Sequence, residues 1–162
     1  MNGSRSQLNN QNKIGREITT MIKSIGIFII NFTWGAIQTV IGLVAFLALI
    51  GRPHYWYKGS IVTVKEGSWG GISLGTFIFV DTAVTKDRAP DSDFVNHEYG
   101  HSLQSAKLGP LYLIIIGIPS LVWAAFFGNW RLTHKKSYYD FYTERWADEL
   151  AGVKRNGTVS DL

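Results

Sequence analysis

Cysteine is absent from the 162-residue sequence. Its absence excludes disulfide bonds and every metal site that is built on thiolate ligands. Any metal ion must therefore be held by imidazole nitrogen and carboxylate oxygen atoms. Among the divalent ions, this ligand set suits zinc (Zn²⁺).

Charged residues are missing from two long apolar blocks, residues 25–50 and residues 109–130. Each block reaches the roughly 20 apolar residues that a helix needs to cross a bilayer. The first block is longer than the roughly 7–15-residue apolar region of a cleavable signal peptide, and it is interpreted as a permanent transmembrane helix. The second contains Gly117, Ile118 and Pro119 near its middle, which predicts a kinked or re-entrant segment. The lipid bilayer is therefore a predicted partner.

The net charge of +4 does not indicate a nucleic-acid partner, because the basic residues are scattered over the polar segments and form no single stripe. Basic residues next to apolar spans are typical of membrane proteins. Residues 1–24 are interpreted as a polar, basic N-terminal tail. Five residues with polar groups lie inside the first apolar block, where such a group is costly unless it is paired: Asn31, Thr33, Trp34, Gln38 and Thr39. We expect them to face another helix as packing contacts.

Two runs rich in β-branched and aromatic residues, 60–65 and 73–80, are separated by the glycine-rich turn sequence 66–71. This arrangement predicts a small β-hairpin. The second run could hold an extended peptide by strand addition, or it could serve only as sheet core. The sequence leaves both roles open.

A helix is predicted over residues 92–108, with Asp91 or Ser92 as its N-cap and with Gly109 and Pro110 as its stop signal. A second helix is predicted over residues 138–151 and ends at Gly152. Ser137 and Asp140 resemble a capping pair ahead of that second helix. Residues 86–91 are predicted to be a polar loop.

The first of these helices carries His97, Glu98 and His101. Residues four apart lie on one face of a helix, so both imidazoles can bind one metal ion. Glu98 then lies beside the open coordination position, where a carboxylate can act as a general base on water. This is the H-E-x-x-H arrangement of zinc peptidases. Gly100, inside the motif, leaves room for the close approach of backbone or substrate.

A catalytic zinc site needs a third protein ligand besides the two histidines, and the second helix offers one. Glu144 and Asp148 are four residues apart and share a helix face. We expect Glu144 to be the third metal ligand and Asp148 to accept the second ring proton of a ligand histidine, which fixes the orientation of the ring. Two histidines and one glutamate form a known catalytic zinc set.

H-E-x-x-H followed downstream by E-x-x-A-D resembles the gluzincin metallopeptidases. The pattern is most similar to that of the membrane-bound zinc proteases of the prenyl-protein (CAAX) type and their bacterial heat-shock relatives. The two motif segments also resemble those of small bacterial membrane proteins. The resemblance implies zinc ligands at His97, His101 and Glu144, a catalytic base at Glu98 and a supporting acid at Asp148. It further implies a peptide or protein substrate and a location integral to the bacterial cytoplasmic (inner) membrane.

The ligand histidines precede the second apolar block, whereas Glu144 follows it, so a single crossing by residues 109–130 would separate them. Two arrangements avoid this separation. A re-entrant segment, which is favoured, keeps the ligands on one side, or the metal lies at membrane depth inside a packed helical bundle. The predicted fold is accordingly an α+β membrane protein with one transmembrane helix (25–50), a second kinked or re-entrant segment, a small hairpin and two metal-bearing helices. Residues 51–162 are interpreted as one metallopeptidase-like domain.

Two other functions stay open at the level of sequence. One is a non-catalytic membrane adaptor that keeps a structural metal site. The other is a small holin-like membrane protein, which would not need the two motifs. For an enzyme, the candidates that could stabilise an oxyanion are His134, Tyr138, Tyr139 and Tyr142, and the sequence does not choose among them.

Overall fold

The computed structural model describes residues 2–67, 69–82 and 92–155, apart from the side chains of residues 2–6 and 8. The predicted loop at 86–91, with the alternative cap Asp91, lies outside the described residues. The helices are α1 (Asn2–Thr33), α2 (Ala36–Ala48), α3 (Asp93–Leu108), α4 (Ile118–Phe126), α5 (Gly128–His134) and α6 (Tyr142–Ala151). The strands are β1 (His54–Tyr57), β2 (Ser60–Lys65), β3 (Gly71–Leu74) and β4 (Phe77–Asp81). Short 3₁₀ turns lie at Gly109–Leu111 and Tyr138–Asp140, and a π-helical turn lies at Leu113–Gly117.

The four strands form one mixed sheet in the order β1-β2-β4-β3. β1 and β2 are antiparallel and are joined by Lys58 and Gly59, which both have positive φ angles (48° and 95°). A two-residue loop with this backbone conformation matches the right-handed twist of its flanking strands. β1 was not predicted. The available signal was the pair Lys58-Gly59, which lies between the aromatic run 54–57 and the β-branched run 60–65.

The predicted hairpin between residues 60–65 and 73–80 is wrong. β2 has the predicted bounds, but it pairs in parallel with β4. The run 73–80 is divided at Gly75 (φ 65°), so that β3 and β4 pair with each other as an antiparallel hairpin. A Cβ atom at Gly75 would collide with Thr39 of α2, so only glycine fits this turn.

The predicted transmembrane helix at 25–50 is also wrong. Within residues 2–67, 69–82 and 92–155, no single helix combines the length and the apolar character needed to cross a bilayer. α1 ends at Thr33, and α2 begins at Ala36 after a bend of 98°. The α+β class is correct, with six helices and a four-stranded sheet in the described part of the chain.

Buried polar groups explain why the first block bends. Asn31 Nδ2 donates to the Ser102 carbonyl (3.3 Å), and Ser105 Oγ donates to Asn31 Oδ1 (2.7 Å). Gln38 Nε2 lies 2.7 Å from Ser105 Oγ, and Thr39 Oγ1 donates to the Asn31 carbonyl (2.8 Å). These bonds hold both arms of the bend against α3.

The prediction that the polar side chains of this block face another helix is confirmed for Asn31, Gln38 and Thr39. It is wrong for Thr33, which is exposed and donates to carbonyl oxygens of its own helix, and Trp34 is 56% exposed.

The second block does not form one segment either. It is divided into the 3₁₀ turn, the π-helical turn, α4 and α5. The large bend (120°) lies between Leu111 and Leu113, and not at the predicted Gly117 to Pro119. Pro119 instead occupies the first turn of α4, directly after the π-helical turn. Two bent pairs reach a spanning length and composition only when both members are taken together: Asn9–Thr33 with Ala36–Ala48, and Asp93–Leu111 with Leu113–Phe126.

Candidate metal centre

Helix α3 forms where the sequence predicts it and carries the motif on its buried face. The Ser92 side chain accepts a hydrogen bond from Val95 N (3.4 Å), and the helix ends at Gly109 with a φ of 55°. Asp93 in the first turn and Lys107 in the last turn complement the helix dipole. His97, Glu98 and His101 are 2%, 5% and 6% exposed.

Glu144 meets both histidines. Its Oε2 atom lies 3.1 Å from His97 Nε2 and 3.3 Å from His101 Nε2. Potential ligand atoms of all three side chains lie within 4.8 Å of one another. Ligand atoms around a tetrahedral zinc ion are about 3.3 Å apart, because Zn–N and Zn–O bonds are about 2.0–2.1 Å long. The three side chains therefore fit a zinc ion with one coordination position left for water or substrate.

Glu144 is fully buried at the start of α6. Its second oxygen, Oε1, accepts hydrogen bonds from Thr143 Oγ1 (2.8 Å) and from Ser120 Oγ of α4. Burial opposes its ionisation, but the hydrogen bonds to His101 and His97 outweigh burial and hold the pKa of Glu144 well below its usual range. The buried carboxylate is therefore charged, as a metal ligand must be.

Asp148 lies one turn further along α6, and its Oδ1 is 2.8 Å from His97 Nδ1. A bond at this ring nitrogen leaves Nε2 directed at Glu144 and at the candidate metal position. Burial opposes the charged form of His97, but the bonds to Asp148 and Glu144 outweigh it and raise the pKa of His97 to about 9. In the metal-free protein His97 is therefore an imidazolium at neutral pH, and metal binding must displace its proton.

His101 has a support of its own that sequence reasoning missed. Its Nδ1 lies 2.7 Å from Gln104 Oε1, and Gln104 Nε2 donates to the Thr143 carbonyl (2.7 Å). Gln104 is three residues from His101 on the same helix face, which was the available signal. The pair fixes the His101 ring and joins α3 to α6.

Helix α6 is shorter than predicted. Ser137 and Asp140 form a capping box, but it caps the separate 3₁₀ turn Tyr138–Asp140. α6 begins only at Tyr142 and ends, as predicted, at Gly152 in the left-handed conformation. The turn places Tyr138 and Tyr139 next to the candidate metal centre.

Glu98 faces a cavity of about 250 Å³ that opens between β3 and α4. The Ser73 hydroxyl lies 2.8 Å from Glu98 Oε2 and 2.8 Å from the Glu98 carbonyl oxygen. A Cβ atom at Gly71 would collide with the Glu98 carboxylate, so Gly71 gives that carboxylate its place beside the strand. His101 and Tyr138 also line the cavity, and the remaining wall is mainly apolar.

The edge of the sheet beside this cavity is β3, and not the whole predicted run 73–80, because β4 lies inside the sheet. Asp81 N donates to the Gly70 carbonyl (3.0 Å). Alternation along an antiparallel pair then directs the backbone groups of Gly71 and Ser73 away from β4, toward the open edge. Tyr112 Oη donates to the Ser73 carbonyl (3.1 Å), which agrees with this direction.

Of the four oxyanion candidates, Tyr138 is the one that lines the described cavity. Tyr139 packs edge-on against the His97 ring, with 5.0 Å between ring centroids. Tyr142 Oη donates to the Ile115 carbonyl, and the exposed His134 lies against the Trp130 carbonyl. Burial raises the pKa of Tyr138, so its hydroxyl keeps its proton and can donate it in a hydrogen bond.

Comparisons with protein-family models, with curated proteins and with solved structures found no match for this chain. Its function is therefore argued from the site itself.

The geometry combines three features that metal-assisted hydrolysis requires. Three buried side chains can hold a divalent cation, one carboxylate stands at the cavity beside them, and a protonated tyrosine faces the same cavity. Such a site can bind a carbonyl compound, move a proton on and off its reacting atoms and stabilise the developing oxyanion.

The centre depends on the close contact of α3 with α6 at Gly100, because a Cβ atom there would collide with the backbone of Ala147. We expect Gly100→Ala to lower the free energy of unfolding by about 1–3 kcal/mol or more, since two packed backbones must separate. Urea unfolding of the metal-free protein measures this effect. Gly15→Ala is the control, because no atom lies within 4 Å of the position that a Cβ would take at that exposed helical glycine, and the variant should gain up to about 1 kcal/mol. Equal midpoints for the two variants would contradict the contact.

Proposed function

We propose that the chain is a zinc-dependent peptidase that hydrolyses peptide bonds with an activated water molecule. The observation that carries the proposal is the contact of buried Glu144 Oε2 with both His97 Nε2 and His101 Nε2, beside a cavity that Glu98 lines. A structural role would explain three ligands, but it would not require a general base and a substrate-sized opening beside them.

His97, His101 and Glu144 would hold the zinc ion, which when bound supplies Lewis acidity at this end of the cavity. Glu98 accepts a proton from the attacking water and returns it to the leaving amine. The Ser73 hydroxyl, 2.8 Å from Glu98 Oε2, holds that carboxylate in place. The Tyr138 hydroxyl donates a hydrogen bond to the carbonyl oxygen as negative charge develops on it.

A peptide substrate would lie in extended form along β3. The outward backbone groups of Gly71 and the N–H of Ser73 can pair with its main chain, in the manner of strand addition, whereas the Ser73 carbonyl is bound by Tyr112 Oη. The carbonyl groups of the peptide would then lie between β3 and α3, the helix that carries Glu98. The apolar wall of the cavity would take a neighbouring side chain of the substrate.

Metal removal tests the proposal directly. We expect protein purified without chelators to contain about one zinc per chain by elemental analysis and to hydrolyse an internally quenched peptide. Dialysis against a chelator should abolish hydrolysis, and zinc should restore it. Hydrolysis that continues at the same rate in verified metal-free protein would contradict a zinc-dependent mechanism.

Arg155 supports the site from beyond α6, and sequence reasoning missed it. Its guanidinium binds both oxygens of Asp148 (3.0 and 3.1 Å) and lies 3.5 Å from the centroid of the Tyr139 ring. Both partners contact His97, so Arg155 fixes the two side chains that orient the ligand ring.

We expect Arg155→Ala to weaken zinc affinity about 10-fold, at the lower end of the roughly 10–100-fold range for residues that support a metal ligand. Competition with a zinc-binding dye measures the affinity. Arg155→Lys should recover only part of it, because an ammonium group can neither form the two-point contact nor stack in the same way. Arg145→Ala is the matched control, since that exposed arginine pairs only loosely with Glu149 (3.9 Å). Equal affinities for Arg155→Ala and Arg145→Ala would exclude the supporting role.

A further inference from the structure

The segment that follows α3 exposes a continuous series of large apolar side chains, here named the apolar face. Phe126, Ile114 and Leu121 are its most exposed members, at 79%, 66% and 64%. The complete set is Leu111, Ile114, Ile115, Ile118, Leu121, Val122, Phe126, Phe127, Trp130 and Leu132. So much exposed apolar surface in one segment of a small protein marks an interaction site.

Basic residues dominate the segment that carries the apolar face, and the first acidic residue after it is the exposed Asp140. No acidic residue occurs between residues 109 and 139, whereas Lys107, Lys135 and Lys136 are exposed at its two ends. Basic side chains beside an apolar surface complement a lipid layer with anionic headgroups. In a symmetric pair of two copies, the same lysines would face one another or lie close together, which opposes self-association through this face.

The apolar face shares side chains with the cavity. Ile118 and Leu121 line the cavity beside Glu98 and are also more than half exposed to solvent. The mouth of the cavity and the apolar face therefore share one wall, α4. Trp34, exposed at the bend between α1 and α2, packs against Gly109 and extends apolar surface to the start of the face.

We propose that the apolar face lies on the surface of an anionic lipid bilayer and presents the cavity to it. No crossing of the bilayer is required, because the contact uses side chains exposed along one segment. If the chain has the peptidase function proposed above, its substrates are apolar stretches of polypeptides that are themselves associated with the membrane.

Flotation with vesicles tests the surface without relying on catalysis. The full chain carrying Glu98→Gln should float with vesicles of phosphatidylcholine and phosphatidylglycerol. Adding Ile114→Ser and Phe126→Ser, neither of which lines the cavity, should reduce the bound fraction about tenfold or more, because two large apolar groups no longer enter the lipid. Trp56→Ser is the matched control, since Trp56 is half exposed on β1 at the opposite edge of the sheet.

Lys135→Glu with Lys136→Glu should weaken binding to the anionic vesicles and leave binding to pure phosphatidylcholine vesicles unchanged. Absence of flotation, or equal flotation of the parent and the Ile114→Ser/Phe126→Ser variant, would overturn the lipid contact. A dimer that this variant dissociates would assign the face to a second copy and overturn the proposal as well.

Catalysis on two substrates of the same cleavage sequence tests the substrate class, one soluble and one carried on an apolar peptide bound to the vesicles. The zinc-loaded chain that keeps Glu98 and carries Ile114→Ser and Phe126→Ser should cleave the soluble peptide at the wild-type rate and the vesicle-bound peptide about tenfold more slowly than the wild type does. Equal slowing of both substrates would contradict delivery from the membrane. Flotation of the chain without cleavage of either substrate by the zinc-loaded wild type would refute the peptidase function and leave the lipid contact standing.

Discussion

Replacement of Glu98 by glutamine is expected to abolish nearly all hydrolysis and to leave the metal in place. The side chain keeps its shape, and its amide oxygen can still accept a hydrogen bond from the Ser73 hydroxyl, which lies 2.8 Å from Oε2. An amide cannot take a proton from water, so the general-base contribution disappears. That contribution is typically about 10²–10⁴-fold in rate.

Two measurements on the same preparation make this result decisive. Elemental analysis should give the same zinc content for Glu98→Gln and the wild type, and the rate of peptide cleavage should fall by at least about 10²-fold. Glu149→Gln is the control, since Glu149 is exposed on α6 and pairs only loosely with exposed Arg145 at 3.9 Å. Full activity in metal-loaded Glu98→Gln would exclude Glu98 as the base. A zinc-loaded wild type that cleaves no peptide would favour the non-catalytic adaptor.

The parts of the fold that local sequence determines were predictable. Ser92 and Gly109 fix the two ends of α3 through their own backbone and side-chain bonds, and Gly152 ends α6 in the same way. The four-residue spacing of His97 and His101 follows from the geometry of a single helix. These features involve neighbours within one or two turns, and a sequence pattern contains them directly.

The bend in the first apolar block was not predictable from its composition. Its direction depends on bonds from Asn31 and Gln38 to Ser102 and Ser105, which lie about 70 residues further along the chain. A polar residue in an apolar block indicates that a partner exists, but not where the partner lies. The parallel pairing of β2 with β4 was missed for a related reason, since only the turn at Gly75 divides an apparently continuous strand.

Replacement of Glu144 by glutamine is expected to remove the metal. Glu144 Oε2 is the atom that meets both His97 Nε2 and His101 Nε2, and its negative charge offsets the charge of the bound cation. A neutral amide keeps the shape of the side chain but loses that charge and most of the affinity of the oxygen for zinc. The loss of affinity should exceed the roughly 10–100-fold that a supporting residue such as Asp148 contributes.

Zinc competition on the wild type, Glu144→Gln and Asp148→Asn should therefore give a graded series, with Glu144→Gln weakest. Circular dichroism of the metal-free variants separates loss of ligand from loss of fold, because Glu144 also accepts bonds from Thr143 and Ser120. Folded Glu144→Gln with wild-type zinc affinity would exclude Glu144 as a ligand. Loss of zinc from that folded variant would instead support one shared ion. Its ligands would be the histidines of α3, which precede the second apolar block in sequence, and Glu144 of α6, which follows that block.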